Sequence, residues 1–134
     1  MVLTPNITFL KVIEIPEANI VLRSDDIIHV DYNKDVTLDV ELQIRMRAIF
    51  DKLADGKKKL FIFSAAEGFT LTKEARNNSD IMNGDSPIAA YAVVANNLAY
   101  KLIANFYLKV NKPKVPFKIF LTIDDAAKWL NTQR

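Results

Sequence analysis

The chain has 134 residues, half of them apolar and a quarter charged, with a formal net charge of +2. Those proportions describe one globular domain over residues 1–134, able to close a core without staples, and exclude a disordered chain. With no cysteine, disulfides, thiolate metal sites and cysteine nucleophiles are excluded, and no run approaches the roughly 18 to 20 apolar residues of a membrane span.

The N-terminus, MVLTPNITFLKVIEIPE, has no basic leader before a long apolar block, so a cytoplasmic location without membrane insertion is expected. Its apolar stretch ITFLKVIEI, closed by Pro16, reads as a strand, and NIVLRS follows as a second. Asp25-Asp26 supplies a turn into IIHVDYN. In that third strand Ile28, Val30 and Tyr32 share one face, and Ile27, His29 and Asp31 the other. Short, sequential strands of this kind predict an antiparallel meander.

The period then changes from two to about 3.6. From Thr37 to Ala54, Leu38, Leu42, Met46, Ile49 and Leu53 form one apolar stripe. Thr37 is the expected N-cap, Asp39 and Glu41 suit the positive end of the helix dipole, and Gly56 suits its termination. KLFIFS reads as a strand buried on both faces, as in a covered parallel sheet. A helix from about Lys73 to Met82 is stopped by NGDSP, and a second buried strand, IAAYAVVA, follows. A helix over 98–110, a strand FKIFL and a final helix opened by Thr122-Ile-Asp-Asp125 complete the chain. The final helix carries Ala126, Ala127, Trp129 and Leu130. The expected fold is α/β: a mixed sheet with an N-terminal antiparallel meander followed by αβαβαβα, the helices packed on the sheet.

This order on a short chain resembles the STAS fold of the bacterial anti-anti-sigma factors, and the segments DIIHVDYNKDVTLDVE, TKEAR, KLIANFYLKVNKP and FLTIDDAAKWL resemble small bacterial SpoIIAA-like proteins. The resemblance spans nearly the whole chain and implies a SpoIIAA-like (STAS-like) fold. In the signalling members, the corner after the central strand reads Asp-Ser-Ser/Thr-Gly, and its hydroxyl is phosphorylated by a partner kinase that is also an anti-sigma factor. The matching residues here are about Leu71-Thr72-Lys73-Glu74, without the aspartate or the glycine. Thr72, followed by Lys73, is therefore read as the helix N-cap at the switch position and not as a switch.

Catalytic chemistry finds little purchase. His29 is the only histidine; with Asp31 it lies on the more polar face of a strand read as an outer one, where such a pair is solvated. No spacing of metal ligands occurs and the three glycines do not cluster, so neither a metal nor a cofactor is expected. Ser64 ends a buried strand at the edge where α/β sheets place ligands, which makes it the best placed of the serines. No enzyme activity is expected.

The net charge conceals an asymmetry. Residues 1–85 hold 11 basic and 14 acidic side chains, and residues 86–134 hold 7 and 2. Lys101, Lys109, Lys112, Lys114 and Lys118 fall in a stretch without carboxylates, a weak basic patch that either faces an anion or solubilises an apolar helix and strand. No arginine accompanies them, so specific nucleic-acid binding is not expected. The segment NLAYKLIANFYLKV places Leu98, Leu102, Ile103, Phe106 and Val110 on one stripe and leaves Tyr100, Ala104, Tyr107 and Leu108 on other sides. A helix apolar over most of its circumference buries more than one face: within the domain, against a second copy, or around a ligand. The leading expectation is a bacterial regulatory, protein-interaction module, homodimeric through this helix. The alternative is a carrier or sensor of a small apolar or anionic ligand.

Overall fold

The computed structural model describes residues 7–77, 86–95 and 115–134. Six strands form one sheet in the order β1 (Phe9–Ile15), β2 (Ala18–Arg23), β3 (Ile27–Tyr32), β5 (Lys59–Ala65), β7 (Ile88–Val94) and β8 (Phe117–Phe120). The first three run antiparallel, and from β3 onward every neighbour is parallel. The meander turns at Asp26, which takes the left-handed conformation (φ 65°) that aspartate tolerates better than most residues. The short β4 (Thr37–Leu38) and β6 (Thr70–Leu71) make a separate two-stranded ribbon.

Three helices are described: α1 (Val40–Ala54), α2 (Lys73–Asn77) and α3 (Ile123–Asn131). The start of α1 differs from the sequence reading. Thr37 is drawn into β4, where its hydroxyl meets that of Thr70 at 3.2 Å, and Asp39 caps the helix by accepting the Leu42 N–H on Oδ1 at 2.8 Å. A carboxylate at this position satisfies an orphan N–H and lies at the positive end of the dipole, so it is the stronger cap. At the other end the left-handed residue is Asp55 (φ 52°), with Gly56 (φ 77°) following it. The expected helix over 98–110 lies outside the described residues, as does the second half of the helix that begins at Lys73.

The sheet is covered on both faces. On one, Leu42, Met46, Phe50 and Leu53 of α1 pack on Ile28, Val30, Phe61 and Tyr91. On the other, Ala126, Ala127 and Leu130 of α3 cover Ile27, Leu60, Ile62, Ala90 and Ala92. The small residues on both sides let the α3 backbone approach the sheet closely, while the α1 side is filled by rings. Phe50 lies edge-on to Phe61 at 5.1 Å and to Phe63 at 6.0 Å between ring centroids, a geometry aromatic quadrupoles favour. The apolar stripe read from the sequence runs through Ile49, but Ile49 is half-buried and the fully buried residue on this side is Phe50.

This packing gives a direct test. Phe50→Ala removes the largest side chain under α1 and is expected to cost about 3 to 5 kcal/mol in denaturant unfolding. Ile44→Ala, on the exposed side of the same helix, is expected to change stability by less than about 0.5 kcal/mol.

Candidate functional site

The alternation that buries Ile27 and Ile62 under α3 also puts His29, Asp31 and Ser64 on the α3 side of the sheet, toward the C-terminal ends of β3 and β5. The parallel register sets Ser64 beside Asp31 and Ile62 beside His29. Ser64 therefore reaches Asp31 across the pair and His29 along the diagonal. Its Oγ donates to Asp31 Oδ1 at 2.9 Å and lies 2.7 Å from His29 Nε2. All three side chains are half-buried.

Proton placement follows from the chemistry of the acceptors. Ser64 has one hydroxyl proton, and the Asp31 carboxylate is the best acceptor within reach of it. With that proton directed to the carboxylate, His29 Nε2 is assigned as the donor to Ser64 Oγ, the tautomer that satisfies all three groups. The chain of donors runs His29 to Ser64 to Asp31. A nucleophilic serine needs the reverse order, with the hydroxyl giving its proton to the imidazole and the carboxylate bonded to the far ring nitrogen. The three residue types recur in hydrolases, where the carboxylate bonds to the imidazole; here Asp31 bonds to the serine.

Burial holds the His29 pKa below its ordinary 6.5, with the Arg23 guanidinium adding to that effect and the Asp31 charge opposing it. Arg23 is itself buried on β2 and forked onto Asp25, with Nη2 at 2.8 Å and Nε at 3.1 Å from the two carboxylate oxygens. The sequence reading of His29 is corrected here. β3 is an interior strand between β2 and β5, so the ring is half-buried and partnered where solvation was expected. No local pattern joins Ser64 to His29; they are 35 residues apart and meet only through the β3–β5 register.

The switch-position corner has its own geometry. Thr72 Oγ1 accepts the Ala75 N–H at 3.1 Å, so the hydroxyl oxygen occupies the capping position of α2. The Thr72 N–H donates to Leu38 O, fixing the corner to the β4 side. Lys73 is exposed. Of the basic patch, Lys118 is described: its Nζ sits 5.6 Å from the Phe120 ring centroid, a cation–π contact that keeps it on its own strand. Lys101, Lys109, Lys112 and Lys114, and the surface made by Tyr100, Ala104, Tyr107 and Leu108, lie outside the described residues. Among the described residues no group of three or more His, Asp or Glu side chains is placed to hold a metal ion. No helix among them is long and apolar enough to cross a membrane.

Three outcomes are expected. Ser64→Ala leaves a half-buried carboxylate and imidazole without their shared partner and should cost about 1 to 2 kcal/mol. For His29, the unfolded chain takes up a proton near pH 6.5 while the folded chain refuses it until a lower pH. Stability therefore falls as the pH drops below about 6.5 and levels once the folded pKa is passed. Urea unfolding between pH 7.5 and 5 should show a steeper loss for the wild type than for His29→Gln; equal slopes would mean the ring is not held neutral by the fold. Thr72→Ala should cost about 1 kcal/mol as a lost cap, and Thr72→Asp should be tolerated in its place.

A family model described as a domain of unknown function, DUF7793, matches residues 20–134. No curated protein matches the sequence. Among solved structures, the chain is similar to the crystal structure of an uncharacterized protein of the DUF3478 family with a SpoIIAA-like fold, from Shewanella loihica PV-4. The two are 12% identical, superpose with a TM-score of 0.55, and the alignment covers 96% of this chain and 98% of that one. At that identity the likeness speaks for the fold alone, and it agrees with the antiparallel meander and mostly parallel sheet described above. From β2 through α3 this chain belongs to the DUF7793 family, and its fold is SpoIIAA-like.

Proposed function

We propose that the domain is a non-enzymatic, bacterial-type regulatory module that works through protein–protein contacts and does not use the phospho-switch of the signalling SpoIIAA-like proteins. The observation that carries this reading is the order of the bonds in the polar cluster. Ser64 Oγ lies within hydrogen-bond distance of both Asp31 Oδ1 and His29 Nε2, and with its proton assigned to the carboxylate it is not activated as a nucleophile. The hydroxyl at the switch position is likewise engaged as a cap. Self-association belongs to the same reading, and the surplus of apolar side chains in 98–110, with Tyr107 and Leu108 foremost, is one surface the sequence offers for it.

Two measurements test it. Hydrolysis of chromogenic carboxylate and phosphate esters by the purified protein should equal that of Ser64→Ala and of buffer; turnover that vanishes in Ser64→Ala and His29→Ala would overturn the non-enzymatic reading. Native mass spectrometry of protein taken from its own cells should show masses of the chain and of protein complexes. A retained small-molecule adduct would favour the carrier reading instead.

A further inference from the structure

α3 packs over β5, β7 and β8 on its side of the sheet, and the registers run two rows of side chains across the rest of that face. Val12 stands beside Val21, Val21 beside His29 and His29 beside Ile62. Ile62 packs under α3, so the whole row is on the α3 side. Glu14, Asn19, Asp31 and Ser64 make the next row on that side. Beyond the irregularity at Leu10, Phe9 stands beside Arg23. Phe9 is 63% exposed, Val12 is 50% exposed, and Glu14 and Asn19 are exposed, so the face over β1 and β2 is open to water. Its one cation, Arg23, is committed to Asp25, and Lys11 stands beside Leu22 on the α1 side. Among the described residues, Glu14 and Asp31 are the charges of this open face that lack an ion-pair partner.

We propose that this open face docks a basic amphipathic helix of a partner protein, laid beside α3, with its apolar stripe on Val12, Val21 and Phe9 and a lysine or arginine on Glu14 and Asp31. This rests on the reading of the domain as an interaction module and deepens it by naming the surface and the chemistry of the partner. Size selects a helix. From β1 to β3 the face is about 10 Å wide, and β1 is about 20 Å long, the footprint of one helix of roughly 14 residues. The other half of the same face is covered in this way by α3, through Ala126, Ala127 and Leu130. Charge selects a basic helix. Two uncompensated carboxylates beside an apolar row attract a cationic partner and repel nucleic acid or an anionic lipid surface. They also disfavour a second copy on this face, which would press the same two carboxylates of each chain toward those of the other. A small molecule is a poor occupant, because an open sheet face covers one side of it, whereas small-ligand sites bury most of the ligand.

The test places the photo-crosslinking residue p-benzoylphenylalanine at Val12 of the full chain, expressed in the protein's own cells, with the same residue at Ile44 on the exposed side of α1 as the control. On irradiation the Val12 position should join to a different protein at a yield well above the control. Peptide mapping should put the new bond in a segment with apolar residues three and four apart that carries lysine or arginine. Glu14→Lys in the same background should lower the yield by roughly fivefold, the size of one exposed ion pair, and leave the thermal midpoint unchanged. Adducts on the chain's own peptides, on lipid or on an acidic segment would overturn the docking. So would a yield no higher than at Ile44, or a Glu14→Lys variant that cross-links as well as its parent. Those results leave the module reading standing, because that reading fails on ester turnover or a retained ligand and not on what touches Val12.

Discussion

Burial of β5 on both faces is the constraint from which the rest of the architecture follows. Leu60, Phe61 and Ile62 are all buried, two of them completely. A strand in that position cannot leave its backbone polar groups unpaired, because each lost hydrogen bond there carries the full cost of desolvation. β3 and β7 supply those partners in parallel, and parallel neighbours require crossovers that return the chain along the outside of the sheet. α1 is the crossover from β3 to β5, and its position over Phe61 is what fills that face with aromatic rings. α3 then covers the opposite face with alanines. One doubly buried strand thus decides the direction of its neighbours and the need for cover on both sides.

The same strand also produces the polar cluster. Alternation along β5 sends Leu60, Ile62 and Ser64 to the α3 side, and the apolar cover of α3 packs on the first two. Ser64, Asp31 and His29 stand beyond it, half-buried. Polar groups in such a place tend to satisfy one another, and these three do so in a chain that ends on the carboxylate. The cluster joins β3 to β5 by side chains as well as by backbone, toward the C-terminal ends of the two strands.

On the far side of β3 the parallel logic gives way to a meander. β2 and β1 add width without crossovers, since tight turns suffice for antiparallel neighbours. Arg23 and Asp25 pair at the β2–β3 turn, and Arg45 of α1 reaches Glu17 at the β1–β2 turn at 2.6 Å. Glu17 is held below the ordinary carboxylate range by that hydrogen bond. As an exposed pair, Arg45 and Glu17 orient the hairpin more than they stabilise it. Among the described residues the outcome is an asymmetric sheet, with a four-residue edge strand at β8 and a seven-residue one at β1.

Much of this was legible in the sequence, because alternation and 3.6-residue periodicity are local properties of a chain. The faces of Ile27 to Tyr32, the buried character of KLFIFS and IAAYAVVA, and the Thr122 cap, whose hydroxyl accepts the Asp125 N–H at 3.2 Å, all depend on residues a few positions apart. The α1 boundary was misread because Thr37 had two local uses, cap or strand, and a pairing with Thr70 decided between them. Phe50 was overlooked because a stripe drawn through Ile49 is equally periodic, and the ring gains its weight only from Phe61 and Phe63 on another element. The candidate site was the least legible part. Each member was visible by itself, yet whether His29 would be solvated or engaged rested on β3 being interior and on a register that sets Ser64 beside Asp31. Register is a non-local quantity, fixed when strands far apart in sequence bury a common face. The sequence by itself determined the alternation and the periodicity that give each element an inward face; only the tertiary structure decided, as at Phe50, which residues fill that face and which of them meet.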